Sequence, residues 1–377
     1  MTAPALLPWQ VGALAAGRFD ASALTDDTAR ALILHRLAIA VADQLPGSTP
    51  ETTATRLILE RRKRAVMTMM QVVAALRRLS AALEAAEVRH LVIKGPALAV
   101  QTTGHWQGRP ATDIDLLIAP RDAGRAHLAL TADGFARRDG RTTAPTASYR
   151  WCQCELVYTG PTAVPLDLHW RMDTAAGLCD LPFDTLWGRR YSVEIAGDTV
   201  QTLDPVDALL FTAMHGNKSG WNRWGMILDA HRQWDALSAA QRDTALARAD
   251  LAGCARPLAL MLALMVETSD PSCPPRPTPE TAGLCRPRAR TLLSRTAEAT
   301  APSQSIPSAI GRLMDGLRMA PGPLTAAGGL LRGALRPMIQ PTAYRAHIMA
   351  AVRHRAPTPP RAMPVRWPSR CPPPAAS

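Results

Sequence analysis

Residues 109–118, RPATDIDLLI, decide the fold of this chain. Asp113 and Asp115 alternate with Ile114 and run into an apolar segment, which is the period-two pattern of a β-strand. Both carboxylates therefore face the same side of that strand. Two close carboxylates repel each other, and a hard divalent cation relieves that repulsion. An isolated Asp-x-Asp pair is most often a strand with two solvated acids, so the surrounding sequence has to decide between these interpretations.

The net charge of +12 suggests a nucleic-acid partner, but the charge is unevenly distributed. Nine arginines and no acidic residue follow Asp315, so 12 − 9 = +3 remains for everything before it. The part of the chain that contains the Asp pair is therefore nearly balanced. Of 43 basic residues only Lys63, Lys94 and Lys218 are lysines, which suggests that a compact point charge is needed at these positions.

The sequence indicates a cytoplasmic protein with no membrane partner. No apolar run reaches the roughly 18 to 20 residues of a membrane span, and the N-terminus lacks the pattern of a signal peptide. The seven cysteines are scattered, and Cys152 and Cys154 have no second pair to complete a zinc site. Reduced thiols are therefore expected.

Hydrophobic periodicity predicts an α+β fold: a small mixed β-sheet core with helices before and after it. The predicted strands are residues 88–93, 112–118, 155–158, 164–170, 191–195 and 199–203. The predicted helices are residues 29–45, 53–86, 97–103, 120–132, 206–215, 224–237, 239–252 and 256–267. The predicted regions are an N-terminal helical region (1–86), a catalytic core (87–204), a helical cap (205–268), a poorly defined helical extension (269–355) and a disordered Pro/Arg-rich tail (356–377).

A strand, a glycine turn, a short helix and a strand bearing Asp-x-Asp resemble the DNA polymerase β-type nucleotidyltransferase superfamily. Within it, the chain is most similar to the uncharacterised nucleotidyltransferase family over roughly residues 30–265. The motifs that carry this resemblance are Ile93-Lys94-Gly95, Arg109-Pro110, residues 113–118, Leu166-Asp167-Leu168-His169-Trp170 and His215-Gly216-Asn217-Lys218.

The resemblance implies a transferase that moves NMP from an NTP, with ATP the expected donor, to a hydroxyl of a protein, peptide or small molecule. Asp113, Asp115 and Asp167 would be its catalytic residues and would hold two Mg²⁺ ions. Lys94, Gly95, Arg109 and Lys218 would bind the nucleotide and its phosphates, and His169 and His215 would be further ligand contacts. Each of these residues also has a plain structural interpretation: Asp167 as an edge-strand acid, Lys94 and Arg109 as solvated cations, the histidines as core residues. Asp229, on the following helix, is a candidate partner for a nearby cation.

Two departures from the family pattern favour an alternative without catalysis. The superfamily's glycine turn is usually Gly-Ser, whereas this chain has Gly95-Pro96, which removes one N–H and one hydroxyl from the phosphate site. The family pattern also has a histidine after the lysine, where this chain has Ser219. The alternative is therefore a nucleotide-binding or scaffold protein in a peptide-maturation or toxin–antitoxin-type system. A nucleic-acid enzyme is weaker still, because basic residues are not interleaved with aromatic ones.

Overall fold

The computed structural model describes residues 8–172, 181–269 and 285–298, together with the single residues 327 and 331. Within these ranges the α-helices are, in chain order, α1 (Pro8–Ala15), α2 (Asp26–Leu34), α3 (Ala38–Ala42), α4 (Thr53–Ala85), α5 (Gly95–Thr103), α6 (Ala123–Ala132), α7 (Ala147–Cys152), α8 (Phe183–Gly188), α9 (Pro205–Ser219), α10 (Trp224–Ala236), α11 (Ala239–Leu251), α12 (Ala255–Thr268) and α13 (Arg286–Glu298). The strands are β1 (His90–Val92), β2 (Ile114–Ile118), β3 (Ala136–Arg137), β4 (Glu155–Thr159), β5 (Leu166–His169), β6 (Tyr191–Ile195) and β7 (Asp198–Thr202).

The strands form one mixed sheet in the order β3-β4-β5-β2-β1-β7-β6. Strand β2 lies in the centre, antiparallel to β1 and parallel to β5. Strands β4 and β5 are antiparallel neighbours, as are β6 and β7. The predicted α+β class with a mixed sheet and flanking helices is therefore confirmed.

The two faces of the sheet contribute to two different hydrophobic cores. Leu91, Ile93 and Leu117 belong to a core that also contains α1, α2, α3 and most of α9 to α13. Leu116 and Ile118, on the opposite face of β2, pack with the second half of α4 and with α6. Asp115 has the same parity as Leu117, so its carboxylate faces the helical side. The N-terminal and C-terminal helices thus share one core above the acidic face of the sheet.

The long helix α4 is confirmed almost to the residue, and the local chemistry explains its start. The side chain of Thr52 accepts a hydrogen bond from the Thr55 amide, and the side chain of Thr55 accepts one from the Thr52 amide, which completes a capping box. Residues 61–64 are exposed, as a solvated helix face requires. By length and composition α4 is a candidate membrane span, but core helices pass the same test, so this is weak evidence.

The prediction of one helix over residues 29–45 is wrong. The chain forms α2 and α3 instead, with a break at residues 35–37 where Arg36 adopts a left-handed conformation with φ of 63°. Tertiary hydrogen bonds stabilise this break. The Gly225 amide donates one to the His35 carbonyl at 3.0 Å. The guanidinium of Arg223 donates to the Leu34 carbonyl at 2.9 Å. The carbonyls of residues 34 and 35 thus accept hydrogen bonds from distant residues. In a continuous helix they would accept from amides four residues further along the chain.

Helix α9 extends beyond the predicted end at residue 215. It continues to Ser219 and ends at Gly220, which is left-handed with φ of 67°. His215 and Lys218 therefore lie within the last turns of one helix instead of at its end and in the following turn. The helices α1, α7 and α8 and the short strand β3 were not predicted, because none of them has a full period of apolar residues.

Several predictions concern residues outside the described ranges. The Pro-rich linker over residues 269–280 is described only at Ser269, and the tail over 356–377 is not described at all. Of the extension over 269–355, α13 is the main described part, and Leu292 and Leu293 pack into the helical core. The predicted domain boundaries stay predictions.

Candidate active site

The acidic face of the sheet brings three predicted aspartates to one cavity of about 290 Å³. Asp115 on β2 lies directly opposite Asp167 on the parallel strand β5. Asp113 precedes β2 by one residue and also lines the cavity. One ligand atom each from Asp115, Asp167 and His169 lie within 4.8 Å of one another. The alternation read from the sequence therefore placed all three carboxylates on the correct side.

Asp115 is buried and carries two cationic partners. Its Oδ1 lies 2.8 Å from Lys94 Nζ and 3.1 Å from His169 Nε2. Burial on its own raises the pKa of a carboxyl, but the positive charges of Lys94 and His169 and their hydrogen bonds outweigh it. They hold the pKa of Asp115 well below its usual range, so this carboxylate is ionised.

His169 bridges two acids across neighbouring strands. Its Nδ1 lies 3.3 Å from Glu155 Oε2, on β4, while its Nε2 faces Asp115. Burial lowers the pKa of an imidazole, but hydrogen bonds to Asp115 and Cys154 and the charge of Glu155 raise the pKa of His169 to about 10. As an imidazolium it has no free lone pair for a metal, so within the group of Asp115, Asp167 and His169 the carboxylate oxygens are the candidate ligand atoms.

Asp167 has the opposite electrostatic environment. Partial burial and the negative charge of Asp115 raise its pKa to about 6, with smaller contributions of the same sign from Glu155 and Asp113. Among the described residues, no basic side chain forms an ion pair with it. Asp167 therefore binds a proton more readily than Asp115, which lies opposite it on β2.

Lys94 and Gly95 form the turn from β1 into α5. Gly95 has φ of +61° and a Cβ there would contact Ala111 Cβ at 3.6 Å, so backbone conformation and not space requires a glycine. Pro96 lies in the first helical turn, where its missing N–H breaks no intrahelical bond. The Gly-Pro departure from the superfamily pattern is thus compatible with the helix, and Lys94 and Gly95 both line the cavity.

The other predicted ligand residues line the same cavity, but most are engaged with acids. Lys218 Nζ lies 3.0 Å from Glu155 Oε2. Arg109 Nε lies 2.8 Å from Asp229 Oδ2, as proposed for Asp229 from its position on the next helix. His215 stacks on Phe211 with ring centroids 6.0 Å apart. Desolvation in the cavity, followed by the charge of Lys94, lowers the pKa of His215 well below its ordinary value.

Four functional candidates were missed from the sequence: Glu155, Arg36, Arg223 and Arg232. The position of Glu155 could have been inferred from strand pairing. The antiparallel pairing of β4 with β5 places it opposite His169, and therefore on the same face of the sheet as Asp167. No motif or periodic pattern in the sequence identified the three arginines. They come from the break after α2 and from α10 and the residue before it, which only the tertiary structure brings to the sheet.

Residues 19–270 match the model of a family described as uncharacterised nucleotidyltransferase. Among solved structures, the chain is similar to the antibiotic-resistance factor ANT(2'')-Ia, with 14% identity and a TM-score of 0.35. That likeness covers 50% of this chain and 92% of the other. A search of curated proteins finds no match. The family match spans the sheet, the cavity and α9 to α12.

Proposed function

The chain belongs to the uncharacterised nucleotidyltransferase family, and we propose that it moves NMP from an NTP to a hydroxyl of an acceptor, releasing pyrophosphate. The observation that carries this proposal is the pairing of Asp115 with Asp167 on adjacent parallel strands, with Asp113 on the same cavity. ATP as the donor, a peptide, protein or small molecule as the acceptor, and the cytoplasm as the compartment belong to the same proposal.

Mg²⁺ is the cofactor that these residues fit, and we propose two ions. Asp113, Asp115 and Asp167 offer carboxylate oxygens, which Mg²⁺ prefers, and among the described residues no basic side chain forms an ion pair with Asp167. When bound, Mg²⁺ would supply positive charge to the transferred phosphate and the departing pyrophosphate. The protein's part is to bring the three carboxylates to one cavity.

Asp167 is the residue best suited to accept the proton of the attacking hydroxyl. In the metal-free protein the pKa of Asp167 is raised to about 6, so this carboxylate accepts a proton more readily than Asp115 does. Asp115 cannot take this role, because Lys94 and His169 keep its pKa far too low. His169 holds Asp115 in place through Nε2, so it acts as a positioning residue.

The second candidate function is nucleotide binding without transfer. It is favoured by the Gly95-Pro96 turn, and by the fact that Lys94 and Lys218 are each ion-paired to an acid instead of being free for phosphate. A nucleotide sensor would still bind ATP. A scaffold protein would not.

The test is pyrophosphate release from each NTP with Mg²⁺ and a panel of hydroxyl acceptors. We expect release with the wild type and its loss in Asp113→Ala and Asp115→Ala, with Asp198→Ala as an exposed-acid control. Pyrophosphate release that is unchanged in both active-site variants would refute the proposal. Calorimetric ATP titration separates the alternatives, since binding without release indicates a sensor.

A further inference from the structure

Basic residues of the cavity fall into two groups by their partners. Three of them pair with carboxylates: Lys94 with Asp115, Arg109 with Asp229, and Lys218 with Glu155. The others that line the cavity are Arg36, Arg223 and Arg232. Within the described ranges, none of these three forms an ion pair with a carboxylate. The residues predicted from the sequence to bind phosphate are thus ion-paired, whereas the unpredicted arginines have no ion-paired carboxylate among the described residues.

The fold fixes the backbone that carries these arginines. The break after α2 is tied to the start of α10 by the hydrogen bond from the Gly225 amide to the His35 carbonyl. A Cβ at Gly225 would lie 2.8 Å from that carbonyl oxygen, so the approach requires a glycine. Arg36 is held at φ of 63°, a conformation that an arginine adopts rarely and at a free-energy cost. The chain therefore maintains strain in order to keep Arg36 at the cavity.

The side-chain hydrogen bonds of Arg223 and Arg232 are to backbone carbonyls. Arg223 donates to the Leu34 carbonyl at 2.9 Å, and Arg232 donates to the Gly108 carbonyl at 3.3 Å. The guanidinium of Arg36 has no hydrogen bond to any described residue. Partial desolvation, followed by the positive charges of Arg223 and Arg109, lowers the pKa of Arg36, while the negative charges of Asp113 and Asp229 act in the opposite direction. Repulsion between the neighbouring arginines therefore contributes to this shift. An anion between them would relieve that repulsion.

We infer that Arg36, Arg223 and Arg232 form an anion-binding subsite that takes a phosphate or carboxylate group. A guanidinium presents a planar fork of N–H donors that matches the oxygens of either group. The identity of the anion rests on the proposed function, which offers two sources: the phosphates of the NTP or an anionic group of the acceptor. The subsite is separate in its residues from the ion-paired cations Lys94, Arg109 and Lys218.

The test is a calorimetric titration of the full chain, in EDTA, with inorganic tripolyphosphate, orthophosphate and ATP. The variants are Arg36→Gln, Arg223→Gln and Arg232→Gln, with Arg61→Gln on the exposed face of α4 as the matched control. We expect each active-site variant to weaken binding by about tenfold or more, because each removes a charge-assisted contact. Arg61→Gln should leave binding unchanged.

Two further variants separate loss of charge from loss of structure. Arg36→Gly removes the charge and relaxes the left-handed backbone, so it should bind more weakly while unfolding at the same or a higher temperature. Arg36→Lys keeps the charge and should retain part of the binding. If Arg36→Gly binds every probe as tightly as the wild type, the inference is wrong.

The three probes distinguish the two sources. Parallel weakening for tripolyphosphate and ATP assigns the subsite to the nucleotide. Weakening for orthophosphate alone assigns it to the acceptor. Failure of the wild type to bind any probe overturns the inference. None of these titrations requires turnover, so the subsite can stand even if pyrophosphate release shows that the proposed transfer does not occur.

Discussion

The two walls of the cavity differ in how their charges are arranged. The sheet wall carries Asp113 just before β2, Asp115 on β2, and Asp167 on β5. The helical wall carries Arg36 in the break after α2, Arg223 just before α10, and Arg232 within α10. On each wall some charge has no partner of opposite sign among the described side chains. Among the described residues, one wall therefore offers carboxylates without an ion-paired cation, and the other offers arginines without an ion-paired carboxylate. This arrangement suits a ligand that brings both a metal and an anion, as a metal-bound nucleotide does.

The largest expected effect is on the sheet wall, from Asp115→Asn. Loss of a metal-ligating carboxylate removes several kcal/mol of transition-state stabilisation, so pyrophosphate release should fall by about a thousandfold. Asp198→Asn, an exposed acid on the hairpin of β6 and β7, should keep full activity. Thermal unfolding of both variants shows whether Lys94 and His169 tolerate the loss of their shared partner. Activity of Asp115→Asn within twofold of the wild type would remove the sheet wall from the chemistry.

The second-largest expected effect concerns His169, which positions Asp115 on the sheet wall. His169→Gln removes the positive bridge between Asp115 and Glu155. Loss of a group that orients a metal ligand typically reduces activity by 10- to 100-fold, so we expect a decrease of about that size. The decrease should appear in kcat and in the Mg²⁺ dependence, while a purely structural histidine would change only thermal stability.

These sheet residues could be predicted because their signal is local. Alternation around Ile114 and again around Asp167 fixes which way the carboxylates face, whatever the rest of the chain does. Glu155 required one more step, the register of β4 on β5, which the sequence does not settle without the length of the connecting turn. Lys94, Arg109 and Lys218 were placed correctly at the cavity, but their ion pairs depend on contacts between distant segments.

The helical wall could not be predicted for the same physical reason. The periodicity of residues 29–45 is helical throughout, yet contacts from Gly225 and Arg223 interrupt it at residues 35–37. Helix propensity is worth a few tenths of a kcal/mol per residue, so two tertiary hydrogen bonds are enough to override it. The failed prediction coincides with Arg36, which agrees with the general observation that local rules are broken at functional or strained positions.

The third prediction uses pH to probe the helical wall. Burial lowers the pKa of His231, on α10, to about 4 from an ordinary value of 6.5. Between these values the unfolded state binds more protons, so this stability is complete above pH 6.5 and is lost as the pH falls toward 4. The full loss corresponds to roughly 3 kcal/mol. Chemical unfolding at pH 7 and pH 5 should therefore show a smaller difference for His231→Gln than for the wild type.

The relation between the pKa shift and the pH dependence of stability has the opposite sign for Asp167. Its pKa is raised from 3.8 to about 6 in the folded state, so the folded state binds more protons between these values. Asp167 therefore disfavours folding above pH 6, and this effect disappears as the pH falls toward 3.8. Metal-free Asp167→Asn should unfold at a higher temperature than the wild type at pH 8, with little difference near pH 4. A lower unfolding temperature at pH 8 would mean that Asp167 has a stabilising partner.

The central claim is that a nucleotidyl group, and not a phosphoryl group, is transferred. It is tested most directly by incubating the protein and Mg²⁺ with an acceptor panel and ATP labelled either at the α- or at the γ-phosphate. The account predicts that the α-label becomes covalently attached to the acceptor, that the γ-label leaves in pyrophosphate, and that both signals vanish in Asp115→Asn. Attachment of the γ-label to the acceptor, with no α-label, would contradict it.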